Sequence, residues 1–524
     1  MAGPEHTPPG AALQADVETR PKAVAAWLER LPYASPADAA RQLVTALYGL
    51  NRHPLDEDAR YTLLALYRPA LARAAAGLEG LLGEGGVPPQ PQHRQLGALL
   101  RGLHSEHALG CKQVLDTRPR RFGRASPKRI AAAATQQMAA LRDLQAACYL
   151  THTSLPPGLW QDLHRLYAFV EASKRAEPTK RTGSDVDDAE PADLVYRQAL
   201  LLALADPPHM THAERMQTRV YLDQLAGLAR LGAPPAGGGR GFLIRTDGDA
   251  APSAFTVGTA AGALWLDTDA LCRTLQETLA RRNGGKASGL SGAVDDEASL
   301  KLFTRLLRQW SGPAQRSFRR YAAGGGTVQL VAGLSTIHRL LDGLGPAPRP
   351  DGAGGASAEP GAPGAAAPIV VNATDWTVTN DSAAGLALLG APNAPLNLKA
   401  GDALALRTDA GEWSLAVVRW VRMRDADGGE IELGVERLAP RVRPLWLRAL
   451  NGKRSRTEPA LLLPGLPALK QPDRLLLPRR VYHVGMDADV WDEARRYTLT
   501  FGRLLEQTPS FDLVDFTLFE EAQP

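Results

Sequence analysis

The sequence predicts a multidomain α+β protein of 524 residues. Three observations support this class. Alanine- and leucine-rich segments with helical periodicity fill residues 1–231, a glycine- and proline-rich break follows, and short strand-like runs begin at Thr327. A chain of this length is expected to form several domains of roughly 100–200 residues each. We therefore expect an all-α N-terminal region, a small α+β segment, a C-terminal β-barrel and an additional small β-domain.

The N-terminal region, residues 1–231, is expected to be a helical bundle or stack. Ser35 followed by Pro36 is typical of a helix start, and it opens the amphipathic run "ADAARQLVTALYGL". We find no fixed repeat period that indicates a solenoid. Further helices are expected over residues 56–82, 94–115, 126–150, 158–174, 192–205 and 212–231.

The small α+β segment, residues 240–311, follows the linker "LGAPPAGGGRG". Two strand-like runs, "GFLIRT" and "GALWLDT", precede the helix "DALCRTLQETLARR", for which Asp269 is the expected cap. A second helix, "ASLKLFTRLLRQW", is expected to end at Gly312 and Pro313.

Residues 312–442 have the texture of a small β-barrel. The run "TVQLVAGLSTIHRLL" is the first part of this β-rich region and is expected to be β as well. A glycine-, alanine- and proline-rich insert, residues 343–368, has too little apolar content to pack and is expected to be disordered. The strands that follow are expected at "DWTVTN", "LALLG", "DALALRT", "WSLAVVRWVRMR" and "EIELGVERL".

The last part, residues 443–524, repeats this texture and is expected to be a second β-rich domain or an extension of the first barrel. The acidic run "DADVWDE" is interpreted as a loop before the next strand, because it lacks the glycine and the glutamate spacing of a calcium loop. Strands are expected in "PALLLPG", "DRLLLP", "RRYTLTFGRLLEQT" and "FDLVDFTLFE".

Charge and cysteine content limit the classes of function. The net charge is only +4, so no global field favours a nucleic-acid polymer as partner. Three widely spaced cysteines do not form the pattern of a disulfide framework or a zinc site, and they fit a reducing compartment. We find no secretory leader and no apolar run of about 18 residues. The sequence predicts a cytoplasmic protein without a membrane span.

Two short histidine and arginine patterns have ordinary structural explanations. His104 and His107 in "HSEH" are expected to lie on a helix surface, because no second cluster of metal ligands accompanies them. The basic run at residues 118–129 is interpreted as a solvated loop between helices, because no interleaved aromatic platform accompanies it beyond Phe122.

One combination of motifs carries a functional signal. The stretch "TVTNDSAAGLALLG" places Asn380, Ser382 and Gly385 where one strand passes to the next. Upstream, "QRSFRRYA" places Arg316 and Arg320 four residues apart, just before the first barrel strand. Turn chemistry alone would explain the first motif, and a solvated helix face the second. Their order along the chain makes the combination more specific than either motif.

This order resembles the PilZ family, the bacterial receptors for the second messenger cyclic di-GMP. The family pattern is Arg-x-x-x-Arg followed by Asp/Asn-x-Ser-x-x-Gly, and the later run "LGVERL" is similar to a closing strand of that family. The resemblance covers residues 316–438 and implies a PilZ-like β-barrel. It also implies that Arg316, Arg320, Asn380, Ser382 and Gly385 bind cyclic di-GMP.

The chemistry of these residue types suits the ligand, which presents two phosphates and two guanines. An arginine can pair with guanine O6 and N7 or clamp a phosphate. The Asn380 amide offers donors and acceptors, and the Ser382 hydroxyl adds an adaptable partner. At Gly385 the missing Cβ allows close approach to the backbone or a positive φ.

The sequence therefore predicts a non-enzymatic cyclic di-GMP sensor without a cofactor or metal. Signatures of dinucleotide cyclases and phosphodiesterases, GGDEF and EAL, are missing. The helical N-terminal region is expected to contact an unidentified protein partner, and the family resemblance implies control of motility, adhesion or exopolysaccharide secretion. The alternative is a structural adaptor whose PilZ-like barrel is degenerate and does not bind. An enzyme with an unrecognised site has the least support.

Overall fold

The computed structural model divides into two compact units, residues 1–85 with 89–315 and residues 86–88 with 316–524. The described residues are 17–83, 85–115, 127–176, 191–235, 239–254, 262–290, 297–312, 321–322, 325–341, 373–382, 384–390, 396–408, 411–424, 429–450, 457–467, 471–492 and 495–519. The insert at residues 343–368 lies outside them.

The first unit opens with a long helical region, as the periodicity predicts. Its apolar faces form two buried clusters, one from the early helices and one from the later helices together with the small sheet that follows. Within the described residues the helices are α1 (Pro21–Glu29), α2 (Pro36–Arg52), α3 (Glu57–Leu82), α4 (Pro91–Leu115), α5 (Pro127–Leu150), α6 (Leu159–Ala176), α7 (Ala192–Leu204) and α8 (His212–Leu225).

Side-chain caps explain several of the helix starts. The Asp56 carboxylate accepts a hydrogen bond from the Ala59 amide at 2.8 Å, which satisfies a free donor of α3. Thr211 and Glu214 form a reciprocal capping box at the start of α8, with bonds of 2.8 and 3.2 Å. Ser35 occupies the N-cap position of α2, but its hydroxyl donates to Asp38 instead of capping an amide.

His104 and His107 are buried in α4, so the prediction of a helix surface is wrong for both. Their imidazoles are 8% and 7% exposed because neighbouring helices cover that face of α4. Burial lowers the pKa of His104, and it lowers the pKa of His107 to about 4. Both side chains are therefore neutral core residues at physiological pH.

A small antiparallel sheet and two helices complete the first unit. The helix expected to reach residue 231 ends at Leu225, where a 3₁₀ turn over Ala226–Leu228 follows, and the chain then pairs as a strand from Arg230. Asp269 is the first residue of its helix and not the cap; its amide donates to Asp267 at 2.9 Å. The elements are β1 (Arg230–Gly232), β2 (Gly241–Ile244), β3 (Leu264–Asp267), α9 (Asp269–Asn283) and α10 (Glu297–Trp310), with strand order β1-β3-β2.

The second unit contains two closed six-stranded barrels. In the first barrel the order is β6-β5-β8-β9-β10-β7, and β7 pairs back with β6 to close it, while β4 adds to β6 beside β5. Its strands are β4 (Tyr321–Ala322), β5 (Thr327–Ala332), β6 (Thr374–Ser382), β7 (Gly385–Gly390), β8 (Ala403–Arg407), β9 (Ser414–Met423) and β10 (Ile431–Ala439).

Two tryptophans lie where glycines leave room in the first barrel. A β-carbon at Gly390 would come within 2.5 Å of the Trp376 ring, and one at Gly434 within 1.9 Å of the Trp420 ring. Trp376 is 1% exposed and belongs to the core, with Leu330, Leu388 and other apolar residues. Each glycine thus lets a large ring pack flat on a neighbouring strand.

A helix, α11 (Leu334–Leu341), occupies part of the run that was predicted to be β. The strand before it stops at Gly333, whose φ of +90° is a conformation that glycine adopts readily. Ile337 and His338 are fully buried, and His338 Nε2 lies 2.9 Å from the Leu445 carbonyl oxygen in the second barrel. The sequence pattern does not distinguish this helix from a strand, because a helix of eight residues contains too few turns for its periodicity to be recognised.

The C-terminal residues form a barrel of their own and not an extension of the first. Its order is β11-β12-β13-β16-β15-β14, with β14 paired to β11. The acidic run that was interpreted as a loop is strand β14, so that interpretation is wrong. The strands are β11 (Arg443–Ala449), β12 (Thr457–Leu463), β13 (Arg474–Pro478), β14 (Asp487–Asp492), β15 (Arg495–Gln507) and β16 (Phe511–Phe519).

The two barrels share an apolar interface. Small and branched residues on the outer face of the first barrel pack with residues of the second barrel and of α11 in one buried cluster. Its buried members are Val331, Leu334, Ile337, Ala403, Ala405, Leu415, Val417, Ala439, Leu461, Leu463, Leu476, Phe511 and Leu513. Because this face of the first barrel is apolar, it needs the second barrel to exclude water.

Candidate ligand-binding site

The predicted site residues on the barrel lie close together at the β6–β7 hairpin. Asn380 and Ser382 are near the end of β6, and Gly385 begins β7. Ser382 and Gly385 are directly paired across the hairpin. Arg316 and Arg320 lie outside the described residues.

Asn380 is placed on the outer face of the barrel by its register. It pairs with Ala387, which alternates with the core-packed Leu386 and Leu388, and directly opposed residues share a face. Its neighbour on the other side is Ala322 of β4. The side chain of Asn380 is half-buried, and its carboxamide makes no hydrogen bond to another residue that the structure describes.

The Ser382 hydroxyl stabilises the hairpin. It donates to the Gly385 carbonyl oxygen at 3.0 Å and accepts from the Gly385 amide at 3.2 Å. This is the turn chemistry that a short polar side chain supplies at the end of a strand. A ligand group could still reach the oxygen, since a hydroxyl has two acceptor lone pairs.

Gly385 is required by the neighbouring strand. A β-carbon there would lie 2.0 Å from the Val435 carbonyl oxygen and 3.2 Å from the Glu436 Cα. Its φ is not in the left-handed region. Close approach of β10, and not a positive φ, is therefore the reason for a glycine in this structure.

Arg437 on β10 contacts the same hairpin, a contact that neither motif predicts. Its Nη1 lies 3.0 Å from Asp381 Oδ1 and donates to the Ser382 carbonyl oxygen at 2.5 Å. Its amide donates to the Ala384 carbonyl oxygen at 2.9 Å. The sequence pattern predicts a strand at this position. The residues that Arg437 contacts are known only from the pairing register of that strand.

A second arginine, Arg419, lies between two carboxylates beside the hairpin. Glu436 pairs directly with Gly385, and Arg419 Nε donates to Glu436 Oε2 at 2.6 Å. Arg419 also forms an ion pair with Glu506 of the second barrel, with Nη2 3.0 Å from Oε2. Burial alone would lower the pKa of Arg419, but the two carboxylates outweigh it and raise the pKa.

The start of the first barrel runs alongside the motif strand. Tyr321, which directly follows Arg320 in the sequence, pairs with Asp381, and Ala322 pairs with Asn380. Strand β4 lies on the edge of β6 that β5 occupies further along, while β7 occupies the other edge. The chain segment that follows the predicted arginine pair thus lies next to the predicted serine motif.

The described residues contain no group of three His, Cys, Asp or Glu side chains placed to hold a metal ion. Among the helices in that part of the chain, none combines the length and apolar character of a membrane-crossing segment.

Comparison with known proteins gives matches along nearly the whole chain. Family models match the N-terminal domain of the cyclic-di-GMP receptor FimW over residues 22–236, its middle PilZ domain over residues 242–344 and 369–444, and its C-terminal beta-barrel domain over residues 445–519. The cyclic-di-GMP receptor FimW of Pseudomonas aeruginosa is 26% identical over 564 aligned residues, which cover 95% of this chain and 90% of that protein.

Proposed function

The chain belongs to the PilZ-domain family, and we propose that it is a non-enzymatic receptor that binds cyclic di-GMP at the β6–β7 hairpin of its first barrel. The observation that carries this proposal is the pairing of Tyr321 with Asp381. It supports a site in which Arg316 and Arg320 act together with Asn380, Ser382 and Gly385.

The chain between the arginines and the hairpin is short. Arg320 is bonded to Tyr321, and Arg316 is five residues before it. Five residues extend over no more than about 18 Å, at about 3.6 Å per residue. A long arginine side chain and a dinucleotide can together span this distance.

The accessible groups at the hairpin suit the proposed ligand. The Asn380 amide, which has no partner among the described residues, can pair with a guanine edge. Arginine guanidinium groups recognise phosphates and the O6 and N7 atoms of guanine. The two carboxylates nearest the hairpin, Asp381 and Glu436, are each paired with an arginine, which reduces repulsion of an anionic ligand.

We further propose that binding is relayed to a protein partner through the helical N-terminal region. Control of motility, adhesion or exopolysaccharide secretion is the kind of process that the family implies. The proposed compartment is the cytoplasm, and the unpaired state of Cys111, Cys148 and Cys272, all buried, agrees with a reducing environment. We expect cyclic di-GMP to be recovered intact after incubation with the protein, since a receptor does not turn over its ligand.

The second candidate function is a structural adaptor with a non-binding barrel. The observation that favours it is that the Ser382 hydroxyl and the Asp381 carboxylate both have partners within the barrel. In that case the motif would be kept for hairpin stability. Titration separates the two candidates, because an adaptor would not bind the dinucleotide.

Isothermal titration calorimetry with cyclic di-GMP tests the proposal. Arg316→Ala and Arg320→Ala should each weaken binding by about 1.5–3 kcal/mol, since each removes a charge-assisted hydrogen bond. Arg319→Ala is the matched control, because it removes the same charge from the same segment at a position that the Arg-x-x-x-Arg pattern leaves unspecified. Wild-type affinity in both motif variants would refute this site, and no binding by the unaltered chain would favour the adaptor.

A further inference from the structure

We propose that Arg437 is a positioning residue for the dinucleotide site, which it acts on by holding the β6–β7 hairpin and neutralising Asp381. This inference rests on the proposed function. It concerns a residue of β10 that lies outside the two motifs, next to the Glu436 that pairs with Gly385.

The contacts of Arg437 fix the hairpin from one side. The guanidinium bridges the Asp381 carboxylate at 3.0 Å and the Ser382 carbonyl oxygen at 2.5 Å. Its backbone amide donates to the carbonyl oxygen of the turn residue Ala384 at 2.9 Å. One residue therefore connects β10 to the end of β6 and to the turn, whereas the Ser382 side chain connects only the two strands of the hairpin.

The negative charge of Asp381 also affects the proposed site, because the ligand is anionic. This carboxylate is half exposed and adjoins Asn380 on β6, and although strand alternation turns it to the other face, an unpaired charge there would lie within a screening length of a ligand with two phosphates. Arg437 gives the pair a net charge of zero. Without the guanidinium, the carboxylate would repel the ligand, and this repulsion would be screened by salt over about 8–10 Å.

Calorimetric titration of three variants with cyclic di-GMP separates the two contributions. Arg437→Ala should weaken binding about tenfold. This loss of affinity relative to the wild type should be larger at low ionic strength, where salt screens the repulsion between Asp381 and the ligand phosphates less. Adding Asp381→Asn restores a net charge of zero, so the double variant should recover part of the affinity and show the wild-type salt dependence. Arg422→Ala is the matched control, because Arg422 of β9 forms an exposed ion pair with Glu432 of β10, away from the β6–β7 turn.

Hydrogen exchange of the protein without ligand provides an independent readout. The amides of Asp381, Ser382 and Gly385 should exchange faster in Arg437→Ala than in the wild type, and Arg422→Ala should leave them unchanged. Wild-type affinity in Arg437→Ala, or wild-type exchange of its hairpin, would overturn the proposal. If the unaltered chain did not bind cyclic di-GMP, the proposed function would fail, while exchange would still decide whether Arg437 holds the hairpin.

Discussion

At Gly385 the first barrel has no room for a β-carbon. The carbonyl of Val435 occupies that space, and a backbone atom cannot move aside as a flexible side chain can. Gly385→Ala should therefore destabilise the first barrel by about 1–3 kcal/mol by forcing β7 and β10 apart. Hydrogen exchange in β7 and β10 measures this locally, which is preferable to intrinsic fluorescence in a chain with nine tryptophans.

Gly326 provides the control for this substitution. A β-carbon there would meet no atom within 4 Å, so Gly326→Ala should leave the free energy of unfolding within a few tenths of a kcal/mol or raise it slightly. Equal exchange rates in the two variants would contradict the packing argument. A loss of binding in Gly385→Ala would not by itself demonstrate contact with the ligand.

The strand β14 depends on a buried carboxylate on the outer face of the second barrel. Asp489 is 4% exposed and lies 2.7 Å from Arg448 and 2.8 Å from Arg496. Burial pushes the pKa of Asp489 up, but the two guanidinium groups outweigh it and hold the pKa below its ordinary value of 3.8. Asp489→Asn should destabilise this barrel by about 1–3 kcal/mol near neutral pH, because charge-assisted hydrogen bonds are lost.

The pH dependence of this effect follows from the direction of the shift. The carboxylate stabilises the folded state fully above the unfolded pKa, and this contribution disappears as the pH falls through the lower, folded value. The free energy of unfolding, measured with urea, should thus differ between wild type and Asp489→Asn by a constant amount from about pH 7 to 5, and the difference should become smaller below pH 3.8. Asp487→Asn is the control for the loss of stability near neutral pH, because that carboxylate is exposed, contacts Thr500 and has no arginine partner among the described ion pairs. If the difference in the free energy of unfolding stayed constant down to low pH, the ion pairs of Asp489 with Arg448 and Arg496 would not be its cause.

Periodicity predicted elements whose apolar positions are long and regular, and it failed where they are short. The helices over residues 57–82 and 91–115 were expected to within three residues, because their apolar faces extend over several turns. Strand β14 was missed, since only Ala488 and Val490 point into the barrel between acidic residues. At the site, spacing indicated Asn380, Ser382 and Gly385, but Arg437 could not be found without the register that aligns β10 with the hairpin.

On the scale of the molecule, the two barrels should unfold as one cooperative unit. Leu477 is fully buried inside the second barrel, and its replacement with Ala should cost about 2–5 kcal/mol. Leu415 and Val417 of the first barrel pack against the second barrel. The free energy of opening that hydrogen exchange reports for their amides should therefore fall by the same amount as that for the amides of β13. Exchange mass spectrometry resolved by strand measures both.

Leu43→Ala is the corresponding control. Leu43 is equally buried, but it lies in the helical core of the other compact unit. This variant should increase exchange in α2 and leave β9 and β13 unchanged. If Leu477→Ala accelerated exchange in the second barrel alone, the shared interface would contribute little to the stability of the first.

The apolar outer face of the first barrel has a practical consequence for biosensor design. A fluorescent reporter made by fusing only residues 321–439 between two fluorophores would expose Ala405, Leu415 and Val417 to solvent, and self-association would compete with any signal. The smallest transplantable module ends after β16. With both barrels included, the fluorophore attached after Phe519 would be carried by the barrel that holds Glu506 against Arg419.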